Sequence, residues 1–425
     1  MKHTFFRLCA GAIACIAVLQ FSSAAIAKRP EHVLYAFSSK PDGRAPSGLI
    51  AAVNGIFYGT TSFGGSGCKG FGCGTVFELD PATGVETVLY SFCEHNRKKI
   101  CTDGDVPLGV VALNGTLYGE TELGGRYHAG TVFSFDPTTG KEKIVHAFCA
   151  QDCTDGSYPG GGLTAVNGIL YGTTPFGGAN DKGTIFSLDP GTGEEKILYS
   201  FCSQGGCLDG DLPSGSLLDV NGTLYGAAGR AGANCPNSMQ CGVLFALDLS
   251  TGVETTLYSF CSQPNCTDGS EPASGLVAVN GLLYGATVAG GAYHNAGTVF
   301  AFDPASGTET VVYSFCQTKE TVCADGSSPG NLIAVNGKLY GTGSGGRAVV
   351  VCPEDGCGTV FEVDPATGTE AVLYNFCSKS LCQDGTVPDG LFEMDGAFYG
   401  TTSEGGRYDG HLCDFGCGVV FKLKQ

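Results

Sequence analysis

Short runs of β-branched and aromatic residues, separated by turn-forming pairs, make up most of the chain. Residues 48–53 (Gly-Leu-Ile-Ala-Ala-Val), 74–80 (Gly-Thr-Val-Phe-Glu-Leu-Asp) and 87–92 (Thr-Val-Leu-Tyr-Ser-Phe) are three examples. Runs of this length, bounded by Gly, Pro and Asn, are typical of β-strands. No segment has the spacing of hydrophobic residues that an amphipathic helix needs. The pattern therefore predicts an all-β fold.

These runs belong to a unit that repeats seven times, about 57 residues apart. Each copy contains a Tyr-Gly pair, at Tyr58, Tyr118, Tyr171, Tyr225, Tyr284, Tyr340 and Tyr399. Each copy predicts four strands. Asn-Gly, or Asp-Gly in the last copy, joins the first two strands, a Gly-rich loop follows the second, and usually Pro-x-x-Gly joins the third to the fourth. Asn-Gly favours the two-residue turn of a tight hairpin.

Seven units of four antiparallel strands are typical of a β-propeller. Residues 32–37 resemble a lone fourth strand, and residues 418–423 resemble a third strand that lacks a fourth. Pairing of these two segments would complete the last blade and leave no open sheet edge. We therefore expect one domain over residues 28–425, a seven-bladed β-propeller whose N-terminal strand closes the C-terminal blade.

The repeated string resembles a known family. Its elements are Tyr-Gly-Thr-Thr, Gly-Gly, Gly-Thr-Val-Phe-x-Leu-Asp-Pro-x-Thr-Gly, Val-Leu-Tyr-Ser-Phe and Asp-Gly, in that order. They are similar to the GloVer tandem repeat of exported bacterial choice-of-anchor repeat proteins. The resemblance implies export and a propeller-like array, and it implies no settled activity and no catalytic residue. The strand order also resembles kelch repeats, although this chain has no Trp.

Residues 1–27 predict a signal peptide. A basic segment with Lys2 and Arg7 precedes the mostly apolar residues 8–21, and Ala25-Ile26-Ala27 fits a cleavage site. The apolar segment is too short to span a bilayer. We expect cleavage after Ala27 and export to the periplasm or the extracellular space.

Charge limits the choice of partners. The chain has 41 acidic and 23 basic residues and a net charge of −18. This charge argues against nucleic acid and anionic membranes as partners. We expect a monomer without a cofactor or a membrane span.

All but two of the 22 cysteines follow the predicted signal peptide, in two kinds of loop. Of the fourteen equivalent loops, ten hold two cysteines and four hold none, as paired gain and loss of bonded residues would produce. Zinc is the alternative, but the Cys-x-x-Cys spacing of zinc sites does not occur. We predict ten disulfides, each within one loop: Cys68–Cys73, Cys93–Cys101, Cys149–Cys153, Cys202–Cys207, Cys235–Cys241, Cys261–Cys266, Cys316–Cys323, Cys352–Cys357, Cys377–Cys382 and Cys413–Cys417.

In a propeller, the loops between blades and the loops between second and third strands lie on the same face. These two loop types carry every predicted disulfide, and we call their side of the ring the disulfide face. The opposite face has only tight turns. Binding residues are common on variable loops that a rigid frame holds, so we expect any ligand on the disulfide face.

An Asp-Gly pair occurs in the loop before every first strand. The aspartates are Asp42, Asp103, Asp155, Asp209, Asp268, Asp325 and Asp384. Turns in which the carboxylate accepts backbone hydrogen bonds explain seven copies better than one active site does. A calcium site at 103–105 or 209–211 is the alternative.

The second and seventh repeats depart from the others in and beside the loop after the second strand. Both contain Gly-Gly-Arg-Tyr, and Glu120 stands where other repeats have Thr or Ala. The candidate ligand-binding residues are Glu120, Glu122, Arg126, Tyr127, His128, Glu404, Arg407 and Tyr408. Arg and Tyr of this kind suit a hydroxyl-rich or peptide ligand. Solvent-exposed loop residues without a ligand are the alternative.

Three classes of function stay open. The first is an exported non-catalytic binding or scaffold propeller whose ligand is a carbohydrate or a protein, and it is the one we favour. The second is a structural component of the cell surface or matrix. The third is a propeller glycosidase or lyase, which needs an acid/base pair such as Glu120 and Glu404. No catalytic or metal-binding residue is assigned.

Overall fold

A computed structural model describes residues 31–425, except for 39, 69, 71, 95–100, 151, 236–239, 273–274, 318–322, 347–355, 409–415 and the side chains of 49 and 50. The predicted all-β fold is confirmed: the described residues contain 29 strands, no α-helix, and two single 3-10 turns at Pro264–Cys266 and Ser380–Cys382. The strands are β1 (Glu31–Ala36), β2 (Arg44–Val53), β3 (Ile56–Phe63), β4 (Thr75–Asp80), β5 (Val85–Ser91), β6 (Asp105–Leu113), β7 (Thr116–Leu123), β8 (Thr131–Asp136), β9 (Lys141–Ala147), β10 (Thr164–Val166), β11 (Ile169–Thr174), β12 (Thr184–Leu188), β13 (Glu195–Ser200), β14 (Asp211–Val220), β15 (Thr223–Arg230), β16 (Val243–Asp248), β17 (Glu254–Ser259), β18 (Ser270–Pro272), β19 (Val277–Val279), β20 (Leu282–Ala289), β21 (Thr298–Asp303), β22 (Thr308–Ser314), β23 (Ser327–Val335), β24 (Lys338–Ser344), β25 (Thr359–Asp364), β26 (Thr369–Asn375), β27 (Thr386–Met394), β28 (Ala397–Glu404) and β29 (Val419–Lys424).

The strands form seven antiparallel sheets, which are the blades of a propeller. Blades 1 to 6 are β2–β5, β6–β9, β10–β13, β14–β17, β18–β22 and β23–β26, and blade 7 is β27, β28, β29 and β1. In blade 5 the innermost strand is described in two parts, β18 and β19, which both pair with β20. The seven-bladed architecture is therefore as predicted.

The N-terminal strand closes the ring. Strand β1 pairs antiparallel with β29, with Glu31 opposite Leu423 and Ala36 opposite Val419. Phe37, the residue after β1, is fully buried, and its backbone N–H donates to the carbonyl of Gly418 at 3.1 Å. The first strand of the chain thus supplies the outermost strand of the last blade, as the sequence predicts.

Packing within each blade explains the glycine of the recurrent Tyr-Gly pair. The glycine of the second strand lies opposite a fully buried phenylalanine of the third strand, as Gly59 lies opposite Phe77. A Cβ atom on this glycine would lie 2.4 to 2.7 Å from the tip of the phenylalanine ring in all seven blades. Only glycine leaves room for this ring.

Neighbouring blades pack through a second set of repeated contacts. The phenylalanine that follows each fourth strand contacts the buried third-strand phenylalanine of the next blade edge to face. The ring centroids are 5.0 to 5.2 Å apart at all seven junctions. The glycine before each third strand abuts the proline of the next blade's first strand. At Gly74, for example, a Cβ atom would lie 2.5 Å from Cδ of Pro107. Because each junction uses the same residues, seven similar contacts build one ring.

A backbone hydrogen bond also recurs at every junction. The residue just before the first-strand proline donates its N–H to a carbonyl near the start of the previous blade's third strand, as from Val106 to Cys73 at 3.3 Å. This donor residue has a positive φ in all seven blades. Strand β2 begins at Arg44 instead of Gly48 because residues 44–47 also pair with β3, across a register shift.

The described part of the chain contains no helix that is long and apolar enough to cross a membrane.

Candidate functional site

The two disulfide-bearing loop types meet on one face of the ring. The carbonyl of the second cysteine in a loop between blades accepts a hydrogen bond from the second glycine of the next blade's Gly-Gly pair. Cys101 accepts from Gly125 at 2.7 Å, and Cys153 accepts from Gly178 at 2.9 Å. The same bond recurs at four further junctions, at 2.8 to 3.1 Å, although in blade 4 the donor Gly232 follows Ala231 instead of a glycine. The loops of the disulfide face therefore form one connected surface.

Eight of the ten predicted disulfides lie within the described residues, each with the predicted partners. They are Cys68–Cys73, Cys93–Cys101, Cys149–Cys153, Cys202–Cys207, Cys235–Cys241, Cys261–Cys266, Cys316–Cys323 and Cys377–Cys382. Cys357 and Cys417 are disulfide-bonded as well, and their predicted partners Cys352 and Cys413 lie outside the described residues. So many disulfides suggest an exported protein, because cytosolic thiols are kept reduced.

Potential metal ligands cluster only as cysteine sulfurs in the part of the chain that the structure describes. One cluster is Cys68, Cys73, Cys93 and Cys101, and the other is Cys357, Cys377 and Cys382. Sγ of Cys101 lies 3.5 Å from Sγ of Cys73, so the two disulfides of blade 1 touch. All seven sulfurs are in disulfides, and the thiolate is the form of cysteine that binds metals. The oxidised clusters are therefore structural.

The seven Asp-Gly aspartates brace the loops between blades. Asp209, for example, accepts hydrogen bonds from the Tyr199 hydroxyl at 2.7 Å and from the Ser203 backbone N–H at 2.8 Å. A tyrosine of the fourth strand donates to the aspartate at six junctions, and at the remaining one Nε2 of His146 lies 3.3 Å from Asp155. These contacts agree with the structural interpretation of the aspartates.

The sequence analysis missed a glutamate that faces each of these aspartates from the next blade. Each glutamate lies in a fourth strand, four residues before the tyrosine or histidine that contacts an aspartate. The seven glutamates are Glu31, Glu86, Glu142, Glu195, Glu254, Glu309 and Glu370. Burial raises the pKa of each carboxyl group, and the charge of the aspartate raises it further. The pKa rises to about 7 for Glu86, Glu142, Glu195 and Glu254, and to about 8 for Glu309 and Glu370.

One of these glutamates has a cation as its partner. The Lys379 Nζ lies 2.6 Å from Oε2 of Glu31, at the junction that closes the ring. The recurrent Thr-Gly-x-Glu string could have identified five of these glutamates from the sequence, and Ser306-Gly307 precedes Glu309 in the same way. Glu31 lies outside this string.

Among the candidate ligand-binding residues, Glu120 lies apart from the exposed loop. It belongs to β7 and is fully buried, and its Oε2 accepts a hydrogen bond from the Gly162 N–H of blade 3 at 3.0 Å. The Thr60 hydroxyl accepts from Gly109 in the same way at the previous junction, at 2.8 Å. Burial raises the pKa of Glu120 to about 8. Glu120 therefore connects two blades near the axis and is not part of an exposed surface.

The remaining candidates of blade 2 lie on the disulfide face. Glu122, Arg126 and His128 are exposed, and Tyr127 keeps 40 % of its surface exposed. The Arg126 guanidinium carbon lies 5.6 Å from the centroid of the Tyr127 ring, so the two side chains stack on each other.

The equivalent residues of blade 7 are also accessible. Arg407 and Tyr408 are exposed, the latter by 49 %, and Glu404 is half-buried at the end of β28. Blade 1 lies between blades 2 and 7, so the structure forms two separate Arg-Tyr surfaces instead of one. The described residues do not bring Glu120 and Glu404 together as an acid/base pair.

In the part of the chain that the structure describes, the exposed aromatic side chains all lie on the disulfide face. Among the described residues they are Tyr127, Tyr158, Phe176, Tyr293 and Tyr408, with 38 to 49 % of each exposed. All five lie between blades or between second and third strands. The exposed large hydrophobic residues of the opposite face are Val85 and Val253, each next to a tight turn.

An open groove of about 510 Å³ lies between blades 2 and 3 on this face. Leu108, Leu123, Tyr158 and Phe176 line it together with Glu122. The rings of Tyr158 and Phe176 meet edge to face with centroids 6.1 Å apart. Neither aromatic residue is among the candidates named from the sequence, because Tyr158 and Phe176 lie in two different loops that only the folded chain brings together.

The groove adjoins a smaller cavity on the ring axis. This cavity of about 140 Å³ is lined by innermost-strand residues of five blades, and it shares Leu108 and Gly160 with the groove. The Asp389 carboxylate lines it and accepts a hydrogen bond from the Gly48 N–H at 3.0 Å. Burial raises the pKa of Asp389 above its ordinary value.

Solved structures are similar to this chain at low sequence identity. An oligogalacturonate lyase in complex with manganese superposes with a TM-score of 0.51 at 11 % identity, over 94 % of this chain and 98 % of that chain. The oligogalacturonate lyase of Vibrio parahaemolyticus gives 0.49 at 10 %, over 93 % of each chain. A nidogen/laminin complex gives 0.40 at 13 %, over 71 % of this chain and 91 % of that one. At 11 % identity, the match with a TM-score of 0.51 shows the propeller fold alone.

The sequence comparisons place the chain in a family. A search of curated proteins finds no match. The family model of the Gloeobacter/Verrucomicrobia repeat matches residues 21–174 and 108–351, which together cover most of the chain. The repeat seen in the sequence and the seven blades agree with this match, and the chain belongs to the Gloeobacter/Verrucomicrobia repeat family.

Proposed function

We propose that this protein is an exported, non-catalytic binding protein that holds a carbohydrate or a protein on its disulfide face. Residues 1–27 would be removed as a signal peptide after Ala27, and residues 28–425 would act as a monomer in the periplasm or outside the cell. The observation that carries this proposal is the confinement of all five exposed aromatic side chains to that face. Exposed aromatic residues are costly in water and are enriched where proteins bind ligands.

The rigidity of the loops supports the proposal. Disulfides close short loops, and the Asp–Tyr contacts hold the same loops against the blades. A surface that is already ordered loses little conformational entropy on binding. The groove between blades 2 and 3 offers apolar area beside Glu122, and the Arg126–Tyr127 pair lies in the same loop region.

The test is an array of glycans and peptides probed with mature protein. We expect wild type to bind a ligand on the array. At least one of the double variants Tyr158→Ala/Phe176→Ala and Arg126→Ala/Tyr127→Ala should bind it more weakly, with an unchanged melting temperature. The control is Val85→Ala/Val253→Ala, which removes the exposed apolar residues of the opposite face. Lost binding in this control, with unchanged binding in both disulfide-face variants, would overturn the proposal.

A further inference from the structure

A second pocket, of about 440 Å³, opens on the disulfide face between blades 4 and 5. Its lining comes from residues 234–235 and 240–241 after β15, from residues between β17 and β18, from β18, and from the end of β20 and the loop that follows it. Its lining includes the disulfides Cys235–Cys241 and Cys261–Cys266 and the polar side chains of Asn234, Gln263, Asn265, Ser270 and Asn295. The volume lies within the range of small-ligand sites.

Two of the amide side chains are held in place by the protein. The Asn234 Nδ2 donates to the Ser259 carbonyl at 2.8 Å, and the Asn295 Oδ1 accepts from the Gly290 N–H at 2.7 Å. Each bond uses one end of the amide, so the Asn234 oxygen and the Asn295 nitrogen remain for other partners. One acceptor and one donor are thus fixed beside the pocket.

The lining is polar but carries little charge. Glu271 is the only charged side chain among the described residues that line the pocket. Amides donate and accept hydrogen bonds without charge, and sugar hydroxyls do the same. Tyr293, which is 42 % exposed, lies two residues before Asn295 and adds an apolar ring to the same loop.

Asn265 lies at a position that varies between the inter-blade loops, where other copies have Asp152, Gly206 or Leu381. The loop between blades 3 and 4 reads Cys-Ser-Gln-Gly-Gly-Cys at 202–207, and the pocket loop reads Cys-Ser-Gln-Pro-Asn-Cys at 261–266. Gly206 has φ +79° and Asn265 has φ +59°, so both residues take the left-handed conformation. Glycine takes this conformation at less cost than asparagine. Asp152 and Leu381 take the same left-handed conformation in their loops, with φ +49° and +55°, so Asn265 differs from these copies in bringing an amide to the pocket.

We propose that the pocket between blades 4 and 5 binds an uncharged oligosaccharide through these amides. The proposal rests on the binding function proposed above and narrows its ligand. Hydroxyl groups would bond to Asn234, Gln263, Asn265 and Asn295, and the apolar side of the sugar would lie against the disulfides or Tyr293.

Isothermal titration calorimetry of mature protein with neutral trisaccharides tests the proposal. The probes are gluco-, galacto-, manno- and N-acetylglucosamine-configured trisaccharides, with a galacturonic acid trisaccharide as the charged comparison. We expect at least one neutral trisaccharide to bind and the charged one to bind more weakly. The variant Gln263→Ala/Asn265→Gly should weaken neutral binding about tenfold or more, since each lost hydrogen bond removes a factor of roughly five.

The matched control is Gln204→Ala, which removes the equivalent glutamine of the neighbouring loop and should leave binding unchanged. Asn265→Gly keeps the left-handed backbone, so unchanged melting should accompany the loss. No neutral binding, or equal binding by wild type and variant, would overturn this inference. If a ligand found on the arrays is lost in Tyr158→Ala/Phe176→Ala but not in Gln263→Ala/Asn265→Gly, the proposed function stands and the saccharide pocket is wrong.

Discussion

The glutamates at the blade junctions predict that the protein is more stable in weak acid than in weak base. Glu370 of β26 is the sharpest case, because burial, followed by the charge of Asp325, raises its pKa from 4.5 to about 8. Its Oε1 is buried without a hydrogen-bond partner. The Tyr313 hydroxyl is the other titratable group that contacts this carboxyl group, and it also donates to Asp325 at 2.8 Å. The perturbation is Glu370→Gln, which keeps the shape and neutral charge of the protonated acid.

The sign of the effect follows from proton binding. Between pH 4.5 and about 8 the folded protein keeps the proton on Glu370, and the unfolded chain loses it. Stability from this group is therefore complete below pH 4.5 and is lost as the pH rises towards 8. The two pKa values differ by roughly 3 to 4 pH units, which corresponds to about 5 kcal/mol at about 1.36 kcal/mol per unit. Solvent screening of a partly exposed group reduces this to about 2 kcal/mol.

Equilibrium urea unfolding with the disulfides intact measures the effect at pH 5 and pH 8. We expect wild type and Glu370→Gln to be equally stable within about 0.5 kcal/mol at pH 5, and the variant to be about 2 kcal/mol more stable at pH 8. Glu194→Gln, which changes an exposed glutamate, should follow wild type at both pH values. Parallel pH profiles of wild type and Glu370→Gln, or a variant that is less stable at pH 8, would refute the reasoning.

Three further predictions concern the ring and its loops. Gly74→Ala should lower the free energy of unfolding by about 3 kcal/mol, through strain at φ +93° and contact with Pro107. The control Gly55→Ala, in an open turn at φ +81°, should lower it by about 1 kcal/mol. Equal losses in urea titrations would argue against Gly–Pro packing between blades. Deletion of residues 28–38 removes β1 and the buried Phe37, so melting should fall sharply and the free edge of β29 should promote association; a monomer with unchanged melting would contradict ring closure. Non-reducing peptide mapping of mature protein should find ten disulfides, each within one loop, and a bond between two repeats would contradict the pairing.

The fold could be predicted from the sequence because every blade repeats the same local signals. Asn-Gly and Pro-x-x-Gly fix two turns of each blade, and the missing strand at one end matches the extra strand at the other. These signals act between neighbouring residues or between copies of one unit. Because the chain holds seven copies, each predicted strand and turn can be checked in seven places.

The candidate site was less predictable, because it depends on contacts between blades. Glu120 looks like a loop residue in the sequence, but β7 extends to Leu123 and places Glu120 in the interior. The junction glutamates have an ordinary strand pattern, and only the ring shows that each one faces an aspartate of the neighbouring blade. Tyr158 and Phe176 are distant enough in sequence that their common groove is a property of the folded blades.

Hydrogen–deuterium exchange of mature protein, with and without a ligand identified on the arrays, tests the central claim most directly. The proposed binding face predicts slower exchange in loops of the disulfide face, such as residues 123–130, 175–183 and 290–297. It predicts no change in the Asn-Gly turns and the Pro-x-x-Gly turns of the opposite face. Protection confined to those turns, with unchanged exchange in the loops of the disulfide face, would contradict the account.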